Sequence, residues 1–244
     1  MKKMPLVLEL KNVKFEERKS LICAILNIHS FIIGGTSMKV FVHLAAGFEE
    51  IEALTIVDVL RRADVDVQMV SVMDDLEVTG ARGITVKADL LFENADYNEC
   101  EMMVFPGGML GTTNMANHEP LMMQLREFVE GEKWLAAICA APIIFGELGL
   151  LADREALCYP GLEYNLFGAQ IPQDKNVVCD ENYITSKGPA TAMEFALQLV
   201  EVLAGRAKRR DIAADLLFEL NETDEEKAAA DAHVHESGGC SCCH

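Results

Sequence analysis

With 244 residues the chain has room for one large domain or two small ones, and with half of those residues hydrophobic it can bury a substantial core. Acidic residues outnumber basic ones 39 to 21, a formal net charge of −18; no basic stripe or helix-turn-helix pattern offsets it, which excludes nucleic acid as a partner. The eight cysteines are scattered through apolar runs or crowded at the very end, not spaced as a disulfide framework, and point to a reducing, cytoplasmic compartment.

Residues 1–37 stand apart from the rest of the chain. The apolar run Leu21–Ile33 is too short to span a bilayer and is interrupted by Asn27, His29 and Ser30. Glutamates mix with the bases before it, and no small-x-small cleavage site comes after it. We read 1–37 as an N-terminal extension from an over-extended start, with a genuine extra strand or helix as the alternative.

From Met38 the pattern is regular. Lys39–Ala45 is a buried strand, and Glu49–Ala63 a helix with Ile51, Leu54, Val57, Val59 and Leu60 on its apolar face. Asp66–Val72 and Met102–Gly108 are strands, the second stopped by Pro106 and two glycines; Leu121–Gly131 is a helix ended by glycine. Trp134–Cys139 is a strand, after which Ile143, Ile144, Glu147 and Leu148 fall at helical spacing. "ALCYP", "NVVCD" and "YITSK" supply short strands, and Ala190–Gly205 is a long amphipathic helix. Strands alternating with helices predict an α/β fold of flavodoxin-like type, a mostly parallel sheet sandwiched by helices, over residues 38–220.

Between Glu219 and Glu236 seven acids face only Lys227. Residues 221–244 lack an apolar period and are expected to be disordered. The last residues hold His233, His235, Cys240, Cys242, Cys243 and His244, soft ligands suited to nickel, zinc or copper(I), though their spacing matches no zinc finger. A metal-binding tail and a plain disordered tail both fit this composition.

In an open α/β sheet, ligands bind outside the carboxyl ends of the strands. A strand order 2-1-3-4 brings three such ends together, and with them Glu52, Gly107, Gly108 and Cys139. Cys139 sits on a strand-to-helix turn among small neighbours such as Ala140 and Ala141, as an elbow nucleophile does. The helix after it is expected to lower its pKa. Gly107 and Gly108 leave amides uncovered for a developing oxyanion, and Glu52 is placed to hold the thiol or move a proton. Taken singly, each has a plainer explanation: a buried cysteine, a turn, a solvated helix start. His43 is read as a core or strand-end histidine and His118 as a loop residue.

"GFEEIEA", "RRADVDV", "VFPGG", "AAICAAP", "CYPG" and "ITSKGPATAMEFAL" occur in this order between Met38 and Leu220. With them the chain resembles the ThiJ/PfpI superfamily, in the branch of the parkinsonism-associated deglycase and its bacterial relatives. The resemblance implies a homodimer with Cys139 as nucleophile and Glu52 as the carboxylate bonded to it. It further implies Gly108 and Ala140 as oxyanion-hole amides, and Arg82 as an arginine near both the site and the dimer interface. Many members carry a histidine where this chain has Tyr159, and without an imidazole both peptidase and amidotransferase chemistry lose their general acid. What remains is cofactor-independent conversion of a 2-oxoaldehyde, methylglyoxal to lactate, or repair of a glycated protein. The alternative is a non-enzymatic redox-sensing or chaperone-like stress protein that uses oxidation of Cys139. Neither needs a membrane partner.

Overall fold

Successive side chains on a strand face opposite sides of a sheet, and the central strands here are apolar on both sides. In β1 (Lys39–Leu44) Val40, Val42 and Leu44 belong to one core, while Phe41 belongs to the other. The same split divides Met102 and Val104 from Met103 and Phe105 in β6 (Cys100–Phe105), and Ala136 and Ile138 from Leu135 and Ala137 in β7 (Trp134–Ile138). A sheet of this kind needs helices on both faces. The computed structural model describes residues 38–220; the extension over 1–37 and the His/Cys-rich tail over 221–244, with its metal and disorder readings, lie outside them.

The remaining elements are α1 (Glu50–Arg62), β2 (Asp66–Ser71), β3 (Glu77–Thr79), β4 (Thr85–Lys87), β5 (Leu90–Leu91), α2 (Met109–Asn117) and α3 (Glu119–Glu130). After β7 come α4 (Pro142–Glu147), β8 (Val177–Asp180), β9 (Tyr183–Ser186) and α5 (Ala192–Asp215). Seven strands form the sheet β5-β2-β1-β6-β7-β9-β8, parallel throughout except for the antiparallel β8–β9 pair. Helices α1 and α5 pack together over one face, and α2, α3 and α4 cover the other. The expected neighbours β2-β1-β6-β7 are therefore adjacent, with their carboxyl ends on one side of the molecule.

Two expectations need correction. "ALCYP" is not a strand: Ala156 N donates to Gln170 O, Leu157 N to Thr185 Oγ1 and Tyr159 N to Cys139 O, so its amides go to three different partners instead of a ladder. On α1, Ile51 and Leu54 are exposed; the inward row is Ala53, Ile56, Val57 and Leu60, continued toward the amino end by carboxylates. His118 is the non-helical residue between α2 and α3, as expected of a loop residue, and it also caps α3, its Nδ1 accepting from Leu121 N at 3.1 Å. The long last helix breaks at Gly205, which takes φ 88°, and helical backbone resumes beyond it to Asp215. No helix among the described residues is long and apolar enough to cross a membrane.

Candidate active site

The site grows from the carboxyl ends of β1, β6 and β7. Leaving β7, the chain turns so sharply that Cys139 adopts φ +65°, a region costing a side-chain-bearing residue about 1–3 kcal/mol. Backbone hydrogen bonds impose it. Cys139 N donates to Ser186 O at 3.0 Å, Tyr159 N donates to Cys139 O at 2.7 Å, and Ala141 N donates to Ile138 O at 3.1 Å. Ala140 and Ala141 are fully covered, and Pro142 opens α4 immediately afterwards. The small residues around the thiol are what so tight an elbow permits.

Glu52 reaches the thiol from the first turn of α1 and is completely buried. Its Oε2 accepts from Gly107 N at 2.7 Å, and Gly107 O in turn accepts from Glu49 N at 2.9 Å. Glycine is required at position 107: a Cβ there would stand 2.5 Å from Cys139 Cβ and 2.7 Å from Glu52 Oε2. Gly108 takes φ +89°, and a Cβ on it would run into the Gly47 carbonyl. The "solvated helix start" reading of "EEIE" is thereby overturned, since Glu49, Glu50 and Glu52 are all buried.

Burial pushes the Glu52 carboxyl up to about 7, against the opposing hydrogen bonds from Gly107 N and the Cys139 thiol. Its Oε1 has no fixed hydrogen-bond partner, and the adjacent group with a proton to exchange is Cys139. Burial, and then the Glu52 charge, push the Cys139 thiol up to about 12, while the amides of Gly108 and Ala140 pull it down. The expected lowering of this pKa is thus reversed. The amides act in the anticipated direction but are outweighed by desolvation and by a carboxylate competing for the same proton. Thiol and carboxyl titrate as a pair: in the one-proton form the negative charge rests mainly on the Glu52 carboxylate and the proton on sulfur, where the carboxylate can take it.

Gly107 also changes role. Its N–H is committed to Glu52, so the amides that act on the sulfur are those of Gly108 and Ala140. Arg82 lies at the tip of the β3–β4 hairpin with its side chain exposed; what the structure fixes is its amide, which donates to Glu50 Oε1 at 2.6 Å. Glu50 is the residue that sequence reasoning missed. It accepts from Arg82 N and Ile84 N and thereby docks the hairpin against the first turn of α1. Only its place in "EEIE" hinted at this. Tyr159 does reach the site, its ring beside Gly188 and its amide on the elbow carbonyl. His43 is fully buried, with Nε2 2.8 Å from Tyr97 Oη and Nδ1 3.3 Å from Val104 O. Among the described residues, no group of three or more His, Cys, Asp or Glu side chains is placed to hold a metal ion.

The same framework is found in known proteins. The DJ-1/PfpI family pattern matches residues 38–202. The chain is 34% identical to protein dj-1beta of Drosophila melanogaster over 76% of this chain and 100% of that protein. It is 38% identical to protein DJ-1 homolog B of Arabidopsis thaliana over 75% of this chain, but spans only 42% of that longer protein. Two further relatives carry activity names: the deglycase PH1704 of Pyrococcus horikoshii, 30% identical over 68% of this chain and 99% of that one, and the glutathione-independent glyoxalase DJR-1.2 of Caenorhabditis elegans, 31% identical over 69% and 89%. The solved structure of oxidized Toxoplasma gondii DJ-1 superposes with a TM-score of 0.71 at 38% identity, covering 75% of this chain and all of that one. The elbow, the buried glutamate and the glycine turn thus stand in a chain that belongs to the DJ-1/PfpI family.

Proposed function

We propose that the protein is a cofactor-independent cysteine enzyme that converts 2-oxoaldehydes to 2-hydroxy acids, methylglyoxal to lactate, or acts on the corresponding adducts of proteins. One observation carries this reading: a strained, half-buried thiol is hydrogen-bonded to a buried carboxylate, with the Gly108 and Ala140 amides turned toward its sulfur. The names of the Pyrococcus deglycase and the Caenorhabditis glyoxalase support it.

In the one-proton form, Cys139 Sγ attacks the aldehyde carbon. A C–S bond forms, the C=O π pair moves onto oxygen, and that oxygen is stabilised by the Gly108 and Ala140 amides before taking the pair's proton. The Glu52 carboxylate then removes the hydrogen from the same carbon, giving an enediolate; the hydroxyl proton of that carbon passes to the neighbouring oxygen as its own carbonyl forms, and Glu52 returns its proton to the neighbouring carbon. The ketone has been reduced and the hemithioacetal oxidised to a thioester within one molecule, so no external redox partner is needed. Water cleaves the thioester to 2-hydroxy acid and free thiol. Tyr159 has no part in these proton transfers, which Glu52 and Cys139 carry between them.

A homodimer in a reducing, cytoplasmic compartment belongs to the same proposal; exposed Ile51 and Leu54 on α1 and Ile84 beside Arg82 supply apolar surface for it. The test is lactate production from methylglyoxal by the wild type, Cys139→Ala and Glu52→Gln. A wild type that makes no lactate, yet oxidises readily and selectively at Cys139, would leave the redox-sensing reading in its place.

A further inference from the structure

Tyr159 is left without a task by this proton-transfer chemistry, yet its position is tightly specified. Residues Tyr159–Leu162 form a turn in which Pro160 fixes the second position and Gly161 takes φ +94° at the third, with Leu162 N donating to Tyr159 O at 3.0 Å. The turn is tied to the nucleophile through the hydrogen bond from Tyr159 N to Cys139 O. Opposite the ring, Gly188 is held by Thr191: Gly188 N donates to Thr191 Oγ1 at 3.1 Å, and that hydroxyl is 2.9 Å from Gly188 O.

A Cβ on Gly188 would lie 3.3 Å from the Tyr159 ring and 3.9 Å from Cys139 Sγ. Ring and sulfur therefore border one small volume, closed on its third side by backbone that carries no side chain. The tyrosine is 49% exposed, so its packing against Gly188 leaves about half of it open.

We propose that Tyr159 determines substrate specificity, stacking on a flat or apolar substituent R of a 2-oxoaldehyde R–CO–CHO while Cys139 takes the aldehyde carbon. The inference rests on the reading of Cys139 as the nucleophile. An aromatic face offers contact area and a quadrupole but no fixed charge. The side chains next to Cys139 in the chain, Ile138, Ala140 and Ala141, are apolar, and the charged group at the thiol is the Glu52 carboxylate; that carboxylate and a net charge of −18 disfavour anionic substrates. The class selected is the aryl or bulky apolar 2-oxoaldehydes, phenylglyoxal ahead of methylglyoxal.

The experiment is alkylation of Cys139 by iodoacetamide and by N-phenyl iodoacetamide, neutral reagents with one leaving group, followed at that residue by mass spectrometry. In Tyr159→Ala the ratio of phenyl to parent rate constants should fall about three- to tenfold, the range of one aromatic contact. Tyr159→Phe, which keeps the ring, should hold the ratio. Gly188→Ala should lower it by filling the shared volume. If the alanine variant at 159 melts early, Tyr159→Leu supplies apolar bulk without an aromatic face and should show the same fall. An unchanged ratio in these ring-deleted variants overturns the proposal. Turnover of phenylglyoxal and methylglyoxal by the same proteins separates this inference from the enzyme reading. A wild type inert toward both, with the alkylation ratio falling as expected, removes the enzyme and keeps the Tyr159 wall.

Discussion

Two thiols lie at opposite ends of the sheet, and burial first of all pushes both up to about 12. Cys100 opens β6 at the amino end, completely buried, its Sγ donating to Met102 O at 3.2 Å. Cys139 follows the carboxyl end of β7 in a strained conformation, half-buried, with Glu52 to exchange its proton and two amides to receive charge. Proton affinity alone therefore does not mark the nucleophile. What marks it is a hydrogen-bonded carboxylate and a route to solvent; Cys100, completely buried, has neither, although backbone hydrogen bonds with Met102 and Phe41 and the Lys133 charge pull its thiol down as well.

The strongest way to break this contrast is to exchange the two thiols for alanine. Cys139→Ala should reduce turnover of 2-oxoaldehydes to background, since no other group there forms the hemithioacetal. Cys100→Ala should keep kcat/KM and cost only about 1 kcal/mol of stability as a small cavity, read by chemical denaturation.

Removing the base while keeping the thiol is the next step down. Glu52→Gln preserves shape but moves no proton, and kcat should fall by about 10² to 10⁴. In the wild type, kcat/KM should fall as pH drops below about 7, where the Glu52–Cys139 pair takes up its second proton. A profile flat from pH 8 to 5 contradicts the pairing.

Gly107→Ala leaves both groups in place but forces a methyl between them, 2.5 Å from Cys139 Cβ. Overpacking of this kind should cost about 1–3 kcal/mol of stability and lower kcat together with the melting temperature.

A last contrast sets Glu52 against His43 through stability alone, not turnover. Glu52 is raised to about 7 in the folded state, so its contribution is complete below the ordinary carboxylate range and is lost as pH rises toward 7. His43 is lowered to about 3 by burial, so its contribution is complete above about 6.5 and is lost as pH falls toward 3. Glu52→Gln should therefore gain on the wild type by about 2–3 kcal/mol between pH 5 and 8, at roughly 1.4 kcal/mol per titrated unit. The acid limb below 6.5, where His43 and the likewise lowered His118 take up their protons, should stay. Urea denaturation at stepped pH measures both.

How much of the molecule was legible in its sequence depends on which signals are local. The long strands and α1, α3 and α5 showed in their apolar periods, and the strand ends they define brought Glu52, Gly108 and Cys139 together from the sequence pattern alone. The three-residue hairpin strands β3 and β4 and the helix over Met109–Asn117 were not legible. The strands are too short to show a period, and "MLGTTNMAN" is poor in helix formers. Nor was the direction of the Cys139 shift. A helix start is visible in a sequence, whereas the burial that outweighs it arises only when β1, β6 and β7 meet. The partner of the Gly107 amide was hidden for the same reason, being 55 residues away in the chain.

The central claim is that the Cys139–Glu52 pair performs an internal redox exchange on a 2-oxoaldehyde. The most direct measurement is lactate formed from methylglyoxal by the wild-type protein without added cofactor or thiol. In deuterated water, moreover, Glu52 should return a solvent-derived deuteron to carbon 2 of the product. Lactate labelled at that carbon, and absent with Cys139→Ala, is the predicted result. Methylglyoxal left unconsumed by the wild type, or lactate formed equally by Cys139→Ala, would contradict it.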